Sequence, residues 1–448
     1  MTVARPQQTP GPPMRDFEAY YAAGRLWNAH EDPYGPHIWE AEKQLTGVQK
    51  GRYEALPFVG PPALLPPLGL IARMPFEAAN IVWRAILALC IFVIVIATLG
   101  QSGKPRTFAV CVLFIIAALG FGPLTSAFAL GQAALPAFAF ALLAVRWGAV
   151  AVLAWIQPNL ALATAPLRAF IPCLIAFSAI CVAIAGPPGI ASYARVVRLH
   201  GAAESLSAIQ LTPAAVAYGF GAGVTAAWLI GIIFTLAAVL LWAALLTKTQ
   251  DVALRFYGTC ALLPFAAPFF HEHDLLVLFP AAIVLSLRAE QRLWPLAAAG
   301  ALLCGTDWLG LTQRPQGVAQ TILLIAAFGA ALAVLRRDCT ARMLAVPAAA
   351  CVCIALCGAV AAHYPLQVWP DGMHALPSNV ANLPIDAAWH AELAATGLFT
   401  PAPMAAAMRL LSLCGCGIVA IAALRSSPQK RVLKSPVNAT NASTSAYF

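Results

Sequence analysis

About eleven long apolar stretches, almost free of charge, take up most of this chain and leave it few ways to fold. They fall at roughly 78–99, 107–122, 133–146, 169–186, 216–246, 256–270, 274–288, 294–311, 318–335, 343–362 and 405–424. A helix needs about 20 apolar residues to cross the hydrocarbon of a bilayer, slightly fewer in short spans. The runs are continuous and do not alternate. That excludes a closed barrel, the other architecture that satisfies every backbone group in lipid. Only 10% of the residues are charged, against roughly a quarter in a soluble domain. The expected fold is all-α, a polytopic transmembrane helical bundle. The stretch 148–164 is also apolar, but Gln157-Pro158-Asn159 interrupts it. Proline removes a backbone donor and stops the helix, so a re-entrant segment or paired short helices are expected there.

Taken as spans, these stretches sort the ionisable residues. All eight histidines, and every carboxylate except Asp251, Glu290 and Asp338, fall on one side. The other side holds Lys104, Arg106, Arg146, Arg168, Lys248, Arg255, Arg288, Arg292, Arg336, Arg337 and Arg342, then Arg425, Lys430, Arg431 and Lys434. Beyond residue 90, only Arg195, Arg198, Arg314 and Arg409 break that pattern. The positive-inside rule makes the basic face cytoplasmic, with the N-terminus outside and the C-terminus inside. Cytoplasmic anchoring and anionic lipid account for the net charge of +9, and no basic aromatic-rich patch calls for nucleic acid. Three regions follow: an outside segment 1–77 with amphipathic helices, a transmembrane domain 78–424 with outside loops 187–215 and 363–403, and a polar tail 425–448 expected to be disordered. Most of the twelve cysteines lie within apolar runs, where a thiol behaves as a small hydrophobe. Neither a disulfide framework, a metal site nor a cofactor is expected.

The outside segments carry the residues able to do chemistry. In 16–28, read as a helix, Phe17, Tyr20, Tyr21 and Gly24 share one side by their i, i+3, i+4, i+7 spacing. Asp16 stands at that helix's start, where an aspartate commonly caps, stabilising by about 0.5–2 kcal/mol. A second cluster, His271-Glu272-His273-Asp274, lies between two closely spaced spans. Ionisable groups at a membrane boundary are costly unless partnered or functional, although a turn that reaches water explains them too. The pair His271 and His273 shows no third zinc ligand. Arg195, Arg198 and His200 could meet a phosphate or simply lipid headgroups on an interfacial helix. Asp386, His390 and Glu392 could bind a sugar or line a solvated helix face.

The run Asp16-Phe17-x-x-Tyr20-Tyr21-x-Ala23-Gly24-Arg25-Leu26 is followed in order by Asp32-Pro33-Tyr34, Pro61-Pro62, Pro67-Leu68, Trp83, Gly131-Gln132, Pro158 and the stretch Pro268 to Leu275. This series resembles the family 87 glycosyltransferases, GT-C-type polytopic enzymes that use polyprenyl-phosphate sugars, over about residues 15–290. The resemblance implies a mannosyltransferase-like membrane enzyme of a bacterial inner (cell) membrane with its site facing the periplasm or outside. Its donor would be a polyprenyl-phosphate sugar and its acceptor a lipid or glycan. It assigns Asp16 as the general base, and His271, His273, Asp274, Arg195, Arg198, Tyr20, Tyr21 and Gln132 to donor and acceptor binding. Polyprenyl phosphate is a good leaving group, so one base opposite it suffices and transfer inverts the sugar, by analogy with inverting hydrolysis.

The chain departs from the family pattern in three places. The family has a span ahead of the aspartate, which implies a natural product longer than this chain, with twelve crossings. Gly60 stands where Tyr often precedes the Pro-Pro pair, and Gln157 where Lys-Pro is common. The competing reading is a lipid or lipid-linked-sugar transporter or flippase. Such a protein would show internal repeats and mid-span ionisable residues, and neither is seen. A further possibility is a catalytically dead scaffold on the same fold.

Overall fold

A computed structural model of the chain describes residues 14–46, 56–104, 107–290, 293–308, 311, 315–336, 339–363, 387 and 401–426. Among these residues the elements are helices, joined at one point by an antiparallel bridge between Gln210 and His271.

Two amphipathic helices, α1 (Arg15–Asn28) and α2 (His37–Thr46), and a short apolar one, α3 (Leu65–Ile71), lead. The first long apolar helix is α4 (Phe76–Gln101). Next come α5 (Phe108–Gly120) and α6 (Gly122–Leu130), bent by 67° at Phe121, and then α7 (Ala134–Ala144). The stretch after Arg146 is a broken hairpin of short turns, with α8 (Ala151–Ala154) and α9 (Pro158–Ala161) separated at Gln157 as the proline requires. The chain continues through α10 (Phe170–Glu204), α11 (Pro213–Gly219), α12 (Val224–Lys248), α13 (Val252–Ala266) and α14 (Leu278–Arg288). The last four helices are α15 (Trp294–Gly305), α16 (Pro315–Leu335), α17 (Ala341–His363) and α18 (Pro403–Arg425).

Every one of the eleven apolar stretches thus holds helix, but length divides them. Among the described residues six helices (α4, α10, α12, α16, α17 and α18) are long and apolar enough to cross a bilayer, or seven if the bent pair α5–α6 counts as one span. The stretch 216–246 is two helices, split between Gly219 and Val224. The stretch 256–270 stops at Ala266, because Ala267 precedes Pro268 and takes extended angles (φ −75°, ψ 134°), as residues before proline do. The outside loop expected at 187–215 is in fact joined to the span before it. Two helices, 170–185 and 187–204, follow one another as α10 and meet at a kink at Gly186. Gly186 sits at φ 63° ahead of Pro187-Pro188, a left-handed angle that glycine adopts without penalty.

The long helices turn aliphatic side chains outward; Ile233 and Leu240 on α12 are 63% and 71% exposed. Such faces fit lipid. Four cations close one end of the bundle by donating to helix-terminal carbonyls, which otherwise lack partners. Lys104 Nζ reaches Leu335 O at 2.7 Å, Arg288 Nη1 reaches Gln101 O at 3.3 Å, and Arg336 Nη1 reaches Ser286 O and Ala289 O at 3.1 and 2.9 Å. Arg255 donates to Thr249 O and Leu246 O at 2.7 and 2.6 Å. The basic residues expected from the sequence to mark cytoplasmic loops thus also tie helix ends together. The His-Glu-His-Asp cluster lies at the opposite end of α14, and α1 packs at the opposite end of α4.

Candidate functional site

α1 is held against the bundle by its aromatic side. Phe17 stacks on Trp83 (5.3 Å between centroids, 14°) and on Phe76 (6.1 Å). Tyr20 meets Trp83 and Phe58 edge-on. Such pairs contribute about 0.5–1.5 kcal/mol each beyond the burial of their area. Gly24, on the same side, lets α1 lie directly on the Leu68 carbonyl of α3. The start of the helix is pinned separately, the Met14 N–H donating to Ala129 O at 2.7 Å. Beside that bond Gly131 takes φ 82° and passes its carbonyl to Trp83 Nε1 at 2.8 Å. The turn so formed aims Gln132 at α1.

Asp16 does not cap its helix. Met14 occupies the cap position, and no side chain caps the α1 amides. The buried Asp16 carboxylate instead accepts from Gln132 Nε2 at one oxygen and from Arg15 Nε, at 3.3 Å, at the other. Tyr20 completes the group, donating to Gln132 Oε1 at 3.2 Å. Burial raises the Asp16 pKa above its ordinary 3.8; Arg15 and Gln132 oppose the rise and the Glu204 charge adds to it. Burial, with the charges of Asp16 and Asp274, likewise raises Tyr20.

The second cluster faces the first closely enough for their charges to act on each other. Asp274, in a 3-10 turn (Glu272–Val277) ahead of α14, accepts from the His271 N–H and from Asn159 Nδ2, both at 3.0 Å, at Oδ2. Its Oδ1 lies 3.7 Å from His273 Nε2 and has no hydrogen-bond partner. The rings of His271 and His273 stack, 5.0 Å apart. Glu204, at the far end of α10, stands between His200 (3.3 Å) and His271 (3.6 Å). Gln210 joins the parts, accepting from the Phe270 N–H at 2.9 Å while its Nε2 lies 3.5 Å from Glu204 and 3.4 Å from His271 Nε2. Glu272 accepts from the Trp308 N–H at 2.8 Å.

Burial, and then the charge of Arg15, holds His273 down to about 3; burial and the neighbouring His273, His200, Arg15 and Arg409 keep His271 well below its usual range. Both rings are neutral at neutral pH, so the approach of His271 to Glu204 is a polar contact and not an ion pair. Burial raises Asp274 to about 7, against the opposing bonds from His271 and Asn159. The arrangement therefore offers a buried carboxylate that can take a proton, with neutral imidazole N–H groups and a second carboxyl, also raised by burial, in the facing cluster. No group of three or more metal-ligand side chains is present among the described residues.

Asp16, Tyr20 and Gln132 thus form one group and His271, His273 and Asp274 another, near enough for the charge of Asp274 to act on Tyr20. Tyr21 does not join them. Its hydroxyl donates to Met74 O at 2.6 Å and ties α1 to the loop before α4. Nor do Arg195 and Arg198, which are exposed on α10, with Arg195 reaching only Ser192 at 3.3 Å. Residues Asp386, His390 and Glu392 lie outside the described residues, as does the tail from residue 427. Asn159, Glu204, Gln210 and Arg409 were not singled out as site residues. Of these, only Glu204 left a readable signal, four residues after His200 on a helix. No protein-family model, no curated protein and no solved structure matches the chain.

Proposed function

We propose that the chain is an integral membrane hexosyltransferase with a GT-C-type bundle of about eleven crossings. It moves a hexose, mannose by the resemblance, from a polyprenyl-phosphate donor to a lipid-linked or glycolipid acceptor on the non-cytoplasmic face of a bacterial inner membrane. One observation carries the reading. The carboxylate of Asp16, placed where it could cap α1, is instead buried and turned toward Gln132 beside the His271–Asp274 cluster. In the transfer the acceptor hydroxyl gives its proton to Asp16 while its oxygen bonds to the anomeric carbon. The bond from that carbon to the phosphate oxygen breaks, and polyprenyl phosphate departs as an anion. A carboxylate whose pKa burial has raised is the stronger base for this step. The neutral N–H groups of His271 and His273 are suited to hydrogen-bond the leaving phosphate.

Protein reconstituted with a radiolabelled polyprenyl-phosphate hexose and membrane lipid extract is expected to move label into a second lipid product. Label that crosses the bilayer while staying on its donor would instead make the protein a transporter.

The pH dependence offers a second check. Transfer requires ionised Asp16, so the rate is expected to fall as pH drops through a value above the usual aspartate range near 4. Gln132→Leu removes a donor that favours the ionised form. The acidic limb should then move further up; a limb left in place would mean that another group titrates.

A further inference from the structure

Lys104, Arg288 and Arg336 do more than cap separate helices. Lys104 follows α4 and donates to Leu335 O at the end of α16. Arg336 follows α16 and donates to Ser286 O and Ala289 O at the end of α14. Arg288 ends α14 and donates to Gln101 O at the end of α4. These links close a circuit, from α4 to α16 to α14 and back to α4. Each C-terminus is the negative end of a helix dipole, roughly half an elementary charge, so three such ends repel unless cations stand among them. Aromatic side chains support the circuit: the Arg336 guanidinium lies 5.2 Å over the Trp294 ring, and the Tyr257 hydroxyl donates to Gln101 Oε1. Within one turn of these helix ends, Thr98, Leu99, Leu285 and Ser286 are at most 1% exposed. Further in, the gap lined by Phe121, Phe279, Leu324 and Phe328 is too small for a water.

In a closed circuit each link depends on the other two. A helix end that loses its cation is free to move, and it carries its own cation away from the next helix. Groups joined in one network depart from additivity in this way, whereas separate caps would add. We infer that Lys104, Arg288 and Arg336 form one cooperative clasp. It holds the bundle shut at the end opposite Asp16 and the His271–Asp274 group, so that those groups are reached from one face only. A transporter must open both ends in turn, and the clasp works against that. The inference concerns access alone and holds whether or not Asp16 performs transfer.

Ser286, fully buried beside the clasp, serves as the probe. Its hydroxyl makes no hydrogen bond, so Ser286→Cys changes one atom and breaks no contact of that kind. The full chain in detergent is treated with a charged methanethiosulfonate, and modification at position 286 is read by peptide mass, which lets the native thiols remain. With the clasp intact, the introduced thiol is expected to stay unmodified, with or without an added short-chain isoprenyl-phosphate mannose. Adding Lys104→Met or Arg288→Met should speed modification roughly tenfold or more, because opening then no longer opposes a cation held at a helix end. Lys104→Met and Arg288→Met should each lower the melting temperature, and the two together by little more than the larger single effect. Three results would overturn the inference: rapid modification with the clasp intact, modification no faster in either Met variant, or melting shifts that add in full. The first needs no substitution in the clasp, so it decides the matter even where a Met variant fails to fold.

Discussion

Replacing Asp16 by Asn is expected to slow hexosyl transfer by a factor on the order of 100 or more, the usual scale of a lost general base. The substitution keeps size and shape and can still take a hydrogen bond at its carbonyl oxygen. Folding should not suffer. Because burial raises the Asp16 pKa from its ordinary 3.8, the carboxyl favours the folded state most when protonated. That contribution is fully present below 3.8 and is lost as pH rises through the higher folded value. At neutral pH the ionised side chain is therefore a burden, and a neutral amide in its place should melt at the same temperature or higher. Loss of transfer together with retained or improved thermal stability separates catalysis from scaffolding. Transfer at near-normal rate in Asp16→Asn would remove the base from the mechanism.

Gly131→Val is expected to cut transfer by tenfold to a hundredfold, for a reason remote from any proton. At φ 82° a β-branched residue is strained, and the added Cβ would stand 2.9 Å from the Phe17 Cβ and 3.3 Å from the Phe17 nitrogen. Something must give, and what moves is the seat of α1, along with the aim of Gln132. A displacement of about 1 Å in a positioned catalytic group costs up to a hundredfold. Gly131→Asn distinguishes two causes, because asparagine tolerates the left-handed angle but still carries a Cβ. If the contact with Phe17 matters, Asn should impair transfer nearly as much as Val. Full activity in the Asn protein would leave backbone strain as the whole effect.

The helical class and the outer cluster were readable because they rest on local pattern. Phe17, Tyr20, Tyr21 and Gly24 repeat at helical spacing, and their side of α1 does face Trp83, Phe76 and Leu68. Pro158 opens α9 after a break in the helix, and Pro268 follows the end of α13. What could not be read was how far each apolar run extends as one helix. A hydropathy window responds alike to an unbroken helix and to the split at 220–223, since the residues there are as apolar as their neighbours. Long-range partners were hidden for a different reason. Tyr21 looks like a site residue until Met74 O takes its hydroxyl, and Gln210 looks idle until an antiparallel bridge sets it beside His271. Arg195 and Arg198 carry the charge a phosphate wants, yet they project from the exposed side of α10.

The bend at Gly186 gives α10 one more property. The 16 residues before it, 170–185, correspond to about 24 Å of helix, against about 30 Å of hydrocarbon. The part before the glycine fits the lipid, and the part after it extends another five turns to Glu204. A helix in a thicker or thinner bilayer tilts to match it, but the non-helical angles of Gly186 (φ 63°, ψ 176°) part the two rods. The glycine thus acts as a swivel: the first rod is free to follow the lipid while the second keeps Glu204 in place between His200 and His271.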